Sequence, residues 1–264
     1  MHPTPKTIAS NSTPLQPVGG RWLLPLHLIY GVYAATVFLT MALLALPFLV
    51  IVPTLGGRRR LIQWVGRSAL TLMGMPIHVH WRGSLPDPCI VVANHCSYLD
   101  GVVLAATLPP RFSFVIKREM DSVPLAGFLL TRIGVHFVAR GNRTGSARDA
   151  LRVIRSAARG SSLAFFPEGT FRPEVGLLRF HTGAFAAAER AGAPLVPLAI
   201  RGTRHCLAPQ SLRLRPGRID VVILEPLMAP VGHADGAAAL RDAARAAILG
   251  ETGESDLDGS TAGG

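Results

Sequence analysis

The N-terminal third of this 264-residue sequence lacks acid: no Asp or Glu precedes Asp87, and no formal charge lies between Trp22 and Gly57. Lysine is scarce throughout, so arginine supplies nearly all of the 27 basic side chains, and the net charge is +11. Three cysteines without a Cys-x-x-Cys pair argue against a secreted disulfide scaffold and a zinc ribbon. No Gly-x-Ser-x-Gly turn is present, which excludes the nucleophile elbow of serine hydrolases.

An uninterrupted apolar run covers residues 22–55. A bilayer span needs about 20 apolar residues, so this run is long enough to cross a membrane. Arg21 precedes it and three arginines follow at 58–60. We therefore predict a membrane-anchoring segment over residues 21–75. For the 34-residue apolar run itself, both a single tilted span and a re-entrant helical hairpin remain possible. Within that segment, 61–75 is predicted to be an interfacial helix, with a core helix of the next domain as the alternative.

The distribution of arginine predicts the sidedness of that segment. The heavier cluster follows the apolar run, which places the following domain on the cytoplasmic side of the inner (cytoplasmic) membrane. A basic, apolar N-terminal third also indicates contact with an anionic bilayer surface. Nucleic acid is not a predicted partner, because the basic residues are not interleaved with aromatic ones and no reader motif is present.

From Pro76 onward, short β-branched runs alternate with helical stretches, which predicts an α/β fold with a sheet flanked by helices. This domain is predicted to cover 76–250. Residues 1–20 and the acidic tail 251–264 are predicted to be disordered because of their composition. The predicted strands are 77–81, 89–93, 112–116, 135–139, 162–166, 195–200 and 219–224. The predicted helices lie near 99–107, 124–132, 145–159, 182–192 and 234–249.

The first polar motif runs from Asn94 to Asp100, directly after a predicted strand. His95 can take a proton from a hydroxyl near neutral pH, and a carboxylate on its other ring nitrogen would fix the tautomer. Residues five apart in one helix point about 140° apart, so the pair can meet only if His95 lies in a loop and Asp100 in the first helical turn. The alternative makes Asp100 part of a capping box with Ser97 and leaves His95 bonded to backbone.

The second polar motif runs from Phe166 to Arg172, again after a predicted strand. Thr170, Arg172 and the loop amides could hold an anion, and the guanidinium fork suits a phosphate. Glu168 fits such a site if it orients a donor or a substrate hydroxyl. The alternative is a turn with a surface Arg–Glu pair.

Three other features are weaker when taken alone. Arg140, after the predicted strand 135–139, is by default a solvated charge, and 195–200 is by default a buried strand. His78 and His80 alternate along one strand without a nearby third ligand, so no metal site is predicted.

Together, four blocks of this sequence resemble the lysophospholipid acyltransferase family, which includes the 1-acylglycerol-3-phosphate acyltransferases. The Asn-His-x4-Asp block matches at 94–100. The Phe-Pro-Glu-Gly-Thr-Arg block matches at 166–170, with Phe171 inserted before Arg172. The blocks follow the family's order and span most of 76–225. The remaining two blocks match at Gly134, Phe137, Arg140 and Pro197.

This resemblance implies the glycerolipid acyltransferase fold, preceded by a membrane helix or helical hairpin. It implies transfer of a fatty acyl group from an acyl-CoA or acyl-carrier-protein thioester to a lysophospholipid hydroxyl. The implied acceptor is 1-acyl-sn-glycerol-3-phosphate and the product phosphatidic acid. His95 would be the general base and Asp100 would orient it, without a cofactor. The residues implied to bind the acceptor are Asn94, Arg140, Glu168, Gly169, Thr170 and Arg172.

Three alternatives remain open at this point. The acceptor can be another lysolipid, such as a lyso-ornithine lipid, because the motifs encode the chemistry more than the acceptor. The same pair of residues can activate water, which would make the protein a thioesterase or lipid hydrolase, and exclusion of water decides between the two. The third alternative is a non-catalytic lipid-binding protein. The presence of both His95 and Asp100 argues against it.

Overall fold

The computed structural model describes residues 23–139, 143–230 and 235–258. The strands are β1 (Ile77–Trp81), β2 (Ile90–Ala93), β3 (Ser113–Lys117), β4 (His136–Val138), β5 (Leu163–Phe165), β6 (Leu195–Arg201) and β7 (Ile219–Ile223). The helices are α1 (Leu23–Ile51), α2 (Leu55–Leu72), α3 (Leu99–Thr107), α4 (Ala126–Arg132), α5 (Arg143–Ala158), α6 (Gly183–Ala191), α7 (Thr203–Cys206) and α8 (Gly236–Thr252). A 3-10 helix covers Arg118–Ser122. The α/β architecture predicted from the sequence is confirmed.

The described strands form one sheet in the order β1-β7-β6-β2-β5-β3-β4. From β6 to β4 all neighbours are parallel, so these five strands end at the same edge of the sheet. Strand β7 is antiparallel to β6, and β1 is parallel to β7. Strands β1 and β7 therefore end at the opposite edge. Loops that follow β2 and β5 meet at one place, because these two strands are neighbours.

Helices cover both faces of the sheet, as the contacts of strand β2 show. All four of its residues are buried, as expected for a central parallel strand. Ile90 and Val92 pack in a cluster with residues of α5, α6 and α8. Val91 and Ala93 pack in a second cluster with residues of α1, α2 and α3. Because successive side chains of a strand point to opposite faces, α5 and α1 lie on opposite sides of the sheet.

The apolar run forms one continuous helix, α1, which passes through Pro47 without ending. A re-entrant hairpin within residues 22–55 is therefore not formed. Instead α1 ends at Ile51, the chain turns, and α2 begins after its N-cap residue Thr54 and packs against α1. The Tyr30 hydroxyl donates to the carbonyl of Met73 at 2.5 Å. The stretch Leu26–Ile51 is long and apolar enough to cross a membrane, and only 17% of its most apolar window is buried.

Helix α2 starts earlier than the interfacial helix predicted over 61–75, and it packs on α3 through a buried stripe. The alternative of a core helix therefore describes it better, although Trp64 and Arg67 remain exposed on its outer face. Arg59 lies inside this helix and donates to the carbonyl of Ile133 at 2.9 Å and to the hydroxyl of Ser113.

The acidic tail differs from the prediction of disorder over 251–264. Residues 251–258 are ordered against the domain, while 259–264 lie outside the described residues. Arg245, which is 8% exposed, forms a bidentate ion pair with Asp256 at 2.6 and 2.7 Å. The amide of Leu177 donates to Ser255, and the amide of Leu257 donates to Leu177. Composition predicts disorder here because it does not show that the acids have arginine partners in the fold.

Candidate active site

The two polar motifs meet at the carboxyl edge of the parallel strands. His95 follows β2 and Glu168 follows β5, and these strands are hydrogen-bonded neighbours. The backbone amide of His95 donates to Glu168 Oε1 at 2.6 Å, which joins the two motifs directly. The site therefore lies where an open, mostly parallel sheet ordinarily binds its ligands.

His95 lies in the loop and Asp100 in the first turn of α3, the arrangement that their spacing requires. His95 Nδ1 is 2.9 Å from Asp100 Oδ2. The same carboxylate oxygen accepts from the amides of Cys96 at 2.7 Å and Ser97 at 2.8 Å. Asp100 is fully buried, so three donors fix it in place. A carboxylate at this position accepts a hydrogen bond from Nδ1–H, and the lone pair of the neutral imidazole is then on Nε2.

The capping alternative holds alongside the pair. The Ser97 hydroxyl accepts from the amide of Leu99 at 3.1 Å and donates to the carbonyl of Leu207 at 2.7 Å. Asp100 therefore both ends the loop and bonds His95. Capping explains the backbone conformation of this turn, but it does not explain the contact between Asp100 and the imidazole of His95.

Aromatic rings enclose the imidazole of His95. Phe166 stacks on it at 4.2 Å between ring centroids with an interplanar angle of 17°. Phe171, the inserted residue, lies edge-on to it at 4.5 Å, and Tyr98 in turn packs against Phe171 at 4.7 Å. Only 17% of the His95 side chain is exposed. Sequence reasoning missed this enclosure, although an aromatic residue inserted into the motif was a visible signal.

Two of the residues implied to bind the acceptor are instead buried against backbone. Asn94 is 1% exposed, and its amide exchanges two hydrogen bonds with the backbone of Ile200 in β6, at 2.7 and 2.9 Å. Glu168 is 3% exposed, and its second oxygen accepts from the amide of Leu178 at 2.9 Å. The hydrogen bonds of both side chains are to backbone groups of the protein.

Three of the remaining implied residues, the buried Gly169 and the exposed Thr170 and Arg172, lie in the second motif. Gly169 has φ of +70°, a conformation that other residues adopt only with strain, and its amide donates to the carbonyl of Phe166. Thr170 and Arg172 are exposed. The Arg172 carbonyl accepts from Arg204 at 3.0 Å, which holds the loop from outside. Arg140 lies outside the described residues.

Burial dominates the electrostatics of the site. It raises the pKa of the Glu168 carboxyl to about 8, while the two backbone amides that donate to it act in the opposite direction. Burial and then the charge of Asp100 raise the pKa of the Cys96 thiol to about 12. A thiol with so high a pKa is not a nucleophile near neutral pH, so the cysteine beside His95 does not compete with it for that role.

Fold and site together place this chain among α/β proteins that hold a His–Asp pair at the carboxyl edge of a mostly parallel sheet. A family model described as Acyltransferase matches residues 76–201. A lyso-ornithine lipid O-acyltransferase of Pseudomonas aeruginosa is 31% identical over 211 residues, which cover 73% of this chain and 80% of that protein. The chain belongs to the acyltransferase family.

A second relative and a solved structure are also similar to this chain. A 1-acyl-sn-glycerol-3-phosphate acyltransferase of Saccharomyces cerevisiae is 28% identical over 183 residues, or 66% of this chain, and the match spans 60% of the yeast protein's length. The crystal structure of the 1-acyl-sn-glycerophosphate acyltransferase from Thermotoga maritima superposes with a TM-score of 0.69 at 24% identity. It covers 86% of this chain and 93% of the other, so the two proteins share the fold.

Proposed function

We propose that this protein transfers a fatty acyl group from an acyl-CoA or acyl-carrier-protein thioester to the free hydroxyl of a lysophospholipid. The proposed acceptor is 1-acyl-sn-glycerol-3-phosphate and the product is phosphatidic acid. The 2.9 Å contact between His95 Nδ1 and Asp100 Oδ2, inside a family motif, carries this proposal. The name of the yeast relative, which specifies the same acceptor, supports it.

The proposed reaction follows from which nitrogen of His95 donates to Asp100. With the Nδ1 proton on the Asp100 side, Nε2 takes the proton of the acceptor hydroxyl as its oxygen bonds to the thioester carbonyl carbon. The carbon–sulfur bond then breaks, and the imidazolium returns the proton to the departing thiolate. The buried carboxylate stabilises the imidazolium in between. A thioester is already activated, so no covalent enzyme intermediate and no resident cofactor are needed.

The acceptor phosphate is proposed to bind at the exposed end of the second motif. Thr170 and Arg172 are exposed there, and the turn at Gly169 places backbone amides beside them. Arg140 is proposed to contribute as well, on the family resemblance alone. Asn94 and Glu168 act indirectly in this mechanism, because they hold the loops that carry His95.

Enclosure of His95 by Phe166 and Phe171 favours acyl transfer over hydrolysis, since it limits the access of water to the base.

We expect Phe171→Ala to open one side of the imidazole and to raise the ratio of free fatty acid to acylated lipid about 3- to 10-fold, a shift on the order of 1 kcal/mol in relative barrier height. Both products can be quantified from one radiolabelled acyl-CoA reaction. Val175→Ala, an exposed apolar residue of the same loop, is the control. An unchanged ratio would show that Phe171 does not exclude water.

Helix α1 is proposed to hold the protein on the cytoplasmic side of the inner membrane. Its large apolar side chains, among them Leu28, Ile29 and Val32, are more than half exposed, which is unfavourable in water and favourable against lipid. The exposed Arg60 and Arg67 of α2 are placed to meet anionic headgroups on the cytoplasmic leaflet. One substrate and the product are membrane lipids, so such a location brings the site to them.

A lyso-ornithine lipid is the second candidate acceptor. The Pseudomonas aeruginosa relative with that named activity is 31% identical, and this chain covers 80% of its length. The acceptor would then carry an amine and a carboxylate in place of a phosphate monoester, while the role of His95 would stay the same.

The test is an acylation assay with the full chain in lipid vesicles, radiolabelled acyl-CoA and acyl-carrier protein as donors, and a panel of lysolipids. We expect label in phosphatidic acid, lost in His95→Ala. His80→Ala is a matched control, because His80 Nε2 bonds Asp220 at 2.6 Å in a second His–Asp pair. His80 lies on β1, three strands from β2 or about 14 Å across the sheet, and Asp220 lies on β7, two strands from β2.

Each outcome of this assay has a separate meaning. Label in an ornithine lipid would change the acceptor and keep the mechanism. Free fatty acid as the sole product would make the protein a hydrolase. Full activity in His95→Ala, or an equal loss in His80→Ala, would overturn the catalytic assignment.

A further inference from the structure

Three arginines of α5, together with Arg159 directly after its last residue Ala158, line one exposed face. Arg148, Arg152, Arg155 and Arg159 follow each other at intervals of four, three and four residues, so they lie on the same side of the helix. All four are exposed. At about 1.5 Å per residue, the charged row is about 16 Å long. We call this row, together with His136 of β4, the basic face.

The basic face borders a groove of about 630 Å³, which the four arginines and His136 line together with Ser161. Asp149 is the acid on this helix, but it is 3% exposed and is bound by Arg118, by Arg152 and by the amide of Ala139. Within the described residues, Arg148, Arg155 and Arg159 form no ion pair. Burial and then the charges of Arg59 and Arg152 lower the pKa of His136, as expected beside a concentration of positive charge.

The position of α5 separates this face from the proposed membrane surface. Val153 and Ala157 of α5 pack with Ile90 and Val92 on one side of the sheet, whereas Ala34 of α1 packs on the other side. The arginines of α5 point away from the sheet, since the opposite side of the helix is buried. The basic face therefore lies on the side of the sheet away from α1, and under the proposed anchoring by α1 a soluble anionic partner fits it better than lipid headgroups.

The basic face also reaches the active-site edge. The amide of Ala139, which follows β4, donates to Asp149 at 2.9 Å, so the first turns of α5 lie at the carboxyl edge where His95 and Glu168 meet. The row of arginines runs from that edge toward the other. A partner bound along it would have one end at the carboxyl edge, three strands from β2, and would be held by charges spread over about three helical turns.

We propose that the basic face docks an acidic helix of the acyl carrier protein that brings the fatty acyl thioester. This inference rests on the proposed function and selects the carrier protein as a donor. An extended row of single charges suits the side chains of an acidic helix, whereas the phosphates of coenzyme A would need donors grouped in a compact pocket. Charges at such a rim act mainly on the rate of encounter and depend on ionic strength.

The test compares two triple variants of the full chain in detergent. R148Q/R155Q/R159Q removes three charges of the basic face, and R190Q/R213Q/R215Q removes three exposed charges elsewhere. With acyl-carrier protein as donor, we expect the first variant to raise KM about tenfold at low salt, with kcat unchanged. With acyl-CoA carrying the same chain, its KM should not change. The control should match the wild type with both donors.

A binding measurement that does not need turnover accompanies the kinetics. Fluorescence anisotropy of labelled carrier protein should show affinity that falls as ionic strength rises to about 0.15 M. R148Q/R155Q/R159Q should show about tenfold weaker binding at low salt. Equal KM increases with both donors would assign the face to coenzyme A. Loss of vesicle binding would assign it to lipid, and wild-type behaviour would overturn the docking role.

These results separate failure of the inference from failure of the proposed function. If the wild type uses acyl-CoA but neither uses nor binds the carrier protein, the docking role is wrong and the acyltransferase function stands. If no lysolipid is acylated from either donor, the proposed function fails, and the anisotropy measurement still decides whether the face binds the carrier.

Discussion

Replacement of Asp100 by asparagine is expected to lower kcat about 10³- to 10⁴-fold, with KM for both substrates changed little. The carboxylate accepts a hydrogen bond from Nδ1–H of His95, with 2.9 Å between nitrogen and oxygen, and faces the positive charge that forms during proton transfer. An asparagine oxygen can accept from the amides of Cys96 and Ser97, which keeps the turn. Its neutral amide does not stabilise an imidazolium, and it allows the wrong tautomer.

Steady-state kinetics and thermal unfolding together test this expectation. Asp220→Asn is the matched control, because Asp220 bonds His80 in the second His–Asp pair and should leave kcat unchanged. A melting temperature near that of the wild type would show that Asp100→Asn still folds. A kcat within tenfold of the wild type in that folded variant would contradict the role assigned to Asp100.

Replacement of Glu168 by glutamine is expected to reduce both activity and stability. Both carboxylate oxygens accept from backbone amides, those of His95 and Leu178, and a glutamine places an N–H group against one of these donors. An unpaired buried donor costs about 1 to 3 kcal/mol in free energy of unfolding. The loop that carries His95 would shift, and a displacement of about 1 Å can lower kcat about 100-fold.

The same substitution predicts a change in how stability depends on pH. Burial raises the pKa of Glu168 from 4.5 to about 8, so the folded protein retains a proton that the unfolded chain has lost. The contribution of this group to folding is therefore complete below about pH 4.5 and is lost as the pH rises through 8. In Glu168→Gln this loss should be absent, and the difference in unfolding free energy between wild type and variant should shrink across this range.

Denaturant unfolding in detergent between about pH 5 and pH 8.5 measures both effects. Glu174→Gln, an exposed glutamate of the same loop, provides the control and should follow the wild type at each pH. A glutamine variant of Glu168 with the wild-type slope would show that the carboxyl group has an ordinary pKa in the folded protein. Wild-type kcat in that variant would show that Glu168 does not position His95.

Much of the fold could be read from local patterns. Strands such as 77–81 and helices such as 99–107 coincide with the structure, because β-branched runs and helical periodicity are local properties of the chain. The strand order and the reversal between β6 and β7 could not be read in this way, since they depend on contacts between distant segments.

For the candidate site, the backbone arrangement of the His–Asp motif could be predicted, but the orientation of its neighbouring side chains could not. The spacing of His95 and Asp100 required a loop followed by a helical turn, and the structure has both. A motif does not show which way each polar side chain points, however. The motifs therefore did not show that the side chains of Asn94 and Glu168 are buried and bonded to backbone. The ring of Phe171 beside His95 depends on the path of an exposed loop, which no local pattern determines.

The pairing of Leu177 with Ser255 and Leu257 has a consequence for the order in which the protein is made. Chains fold from the N-terminus as they leave the ribosome, and Leu177 emerges about 80 residues before these partners. The adjoining amide of Leu178 holds Glu168, and Glu168 holds the amide of His95. Nascent chains would therefore reach the membrane through α1 before this set of contacts is complete. The site would close only after the segment around Ser255 has been synthesised and released, so a chain stalled in translation would be anchored but inactive.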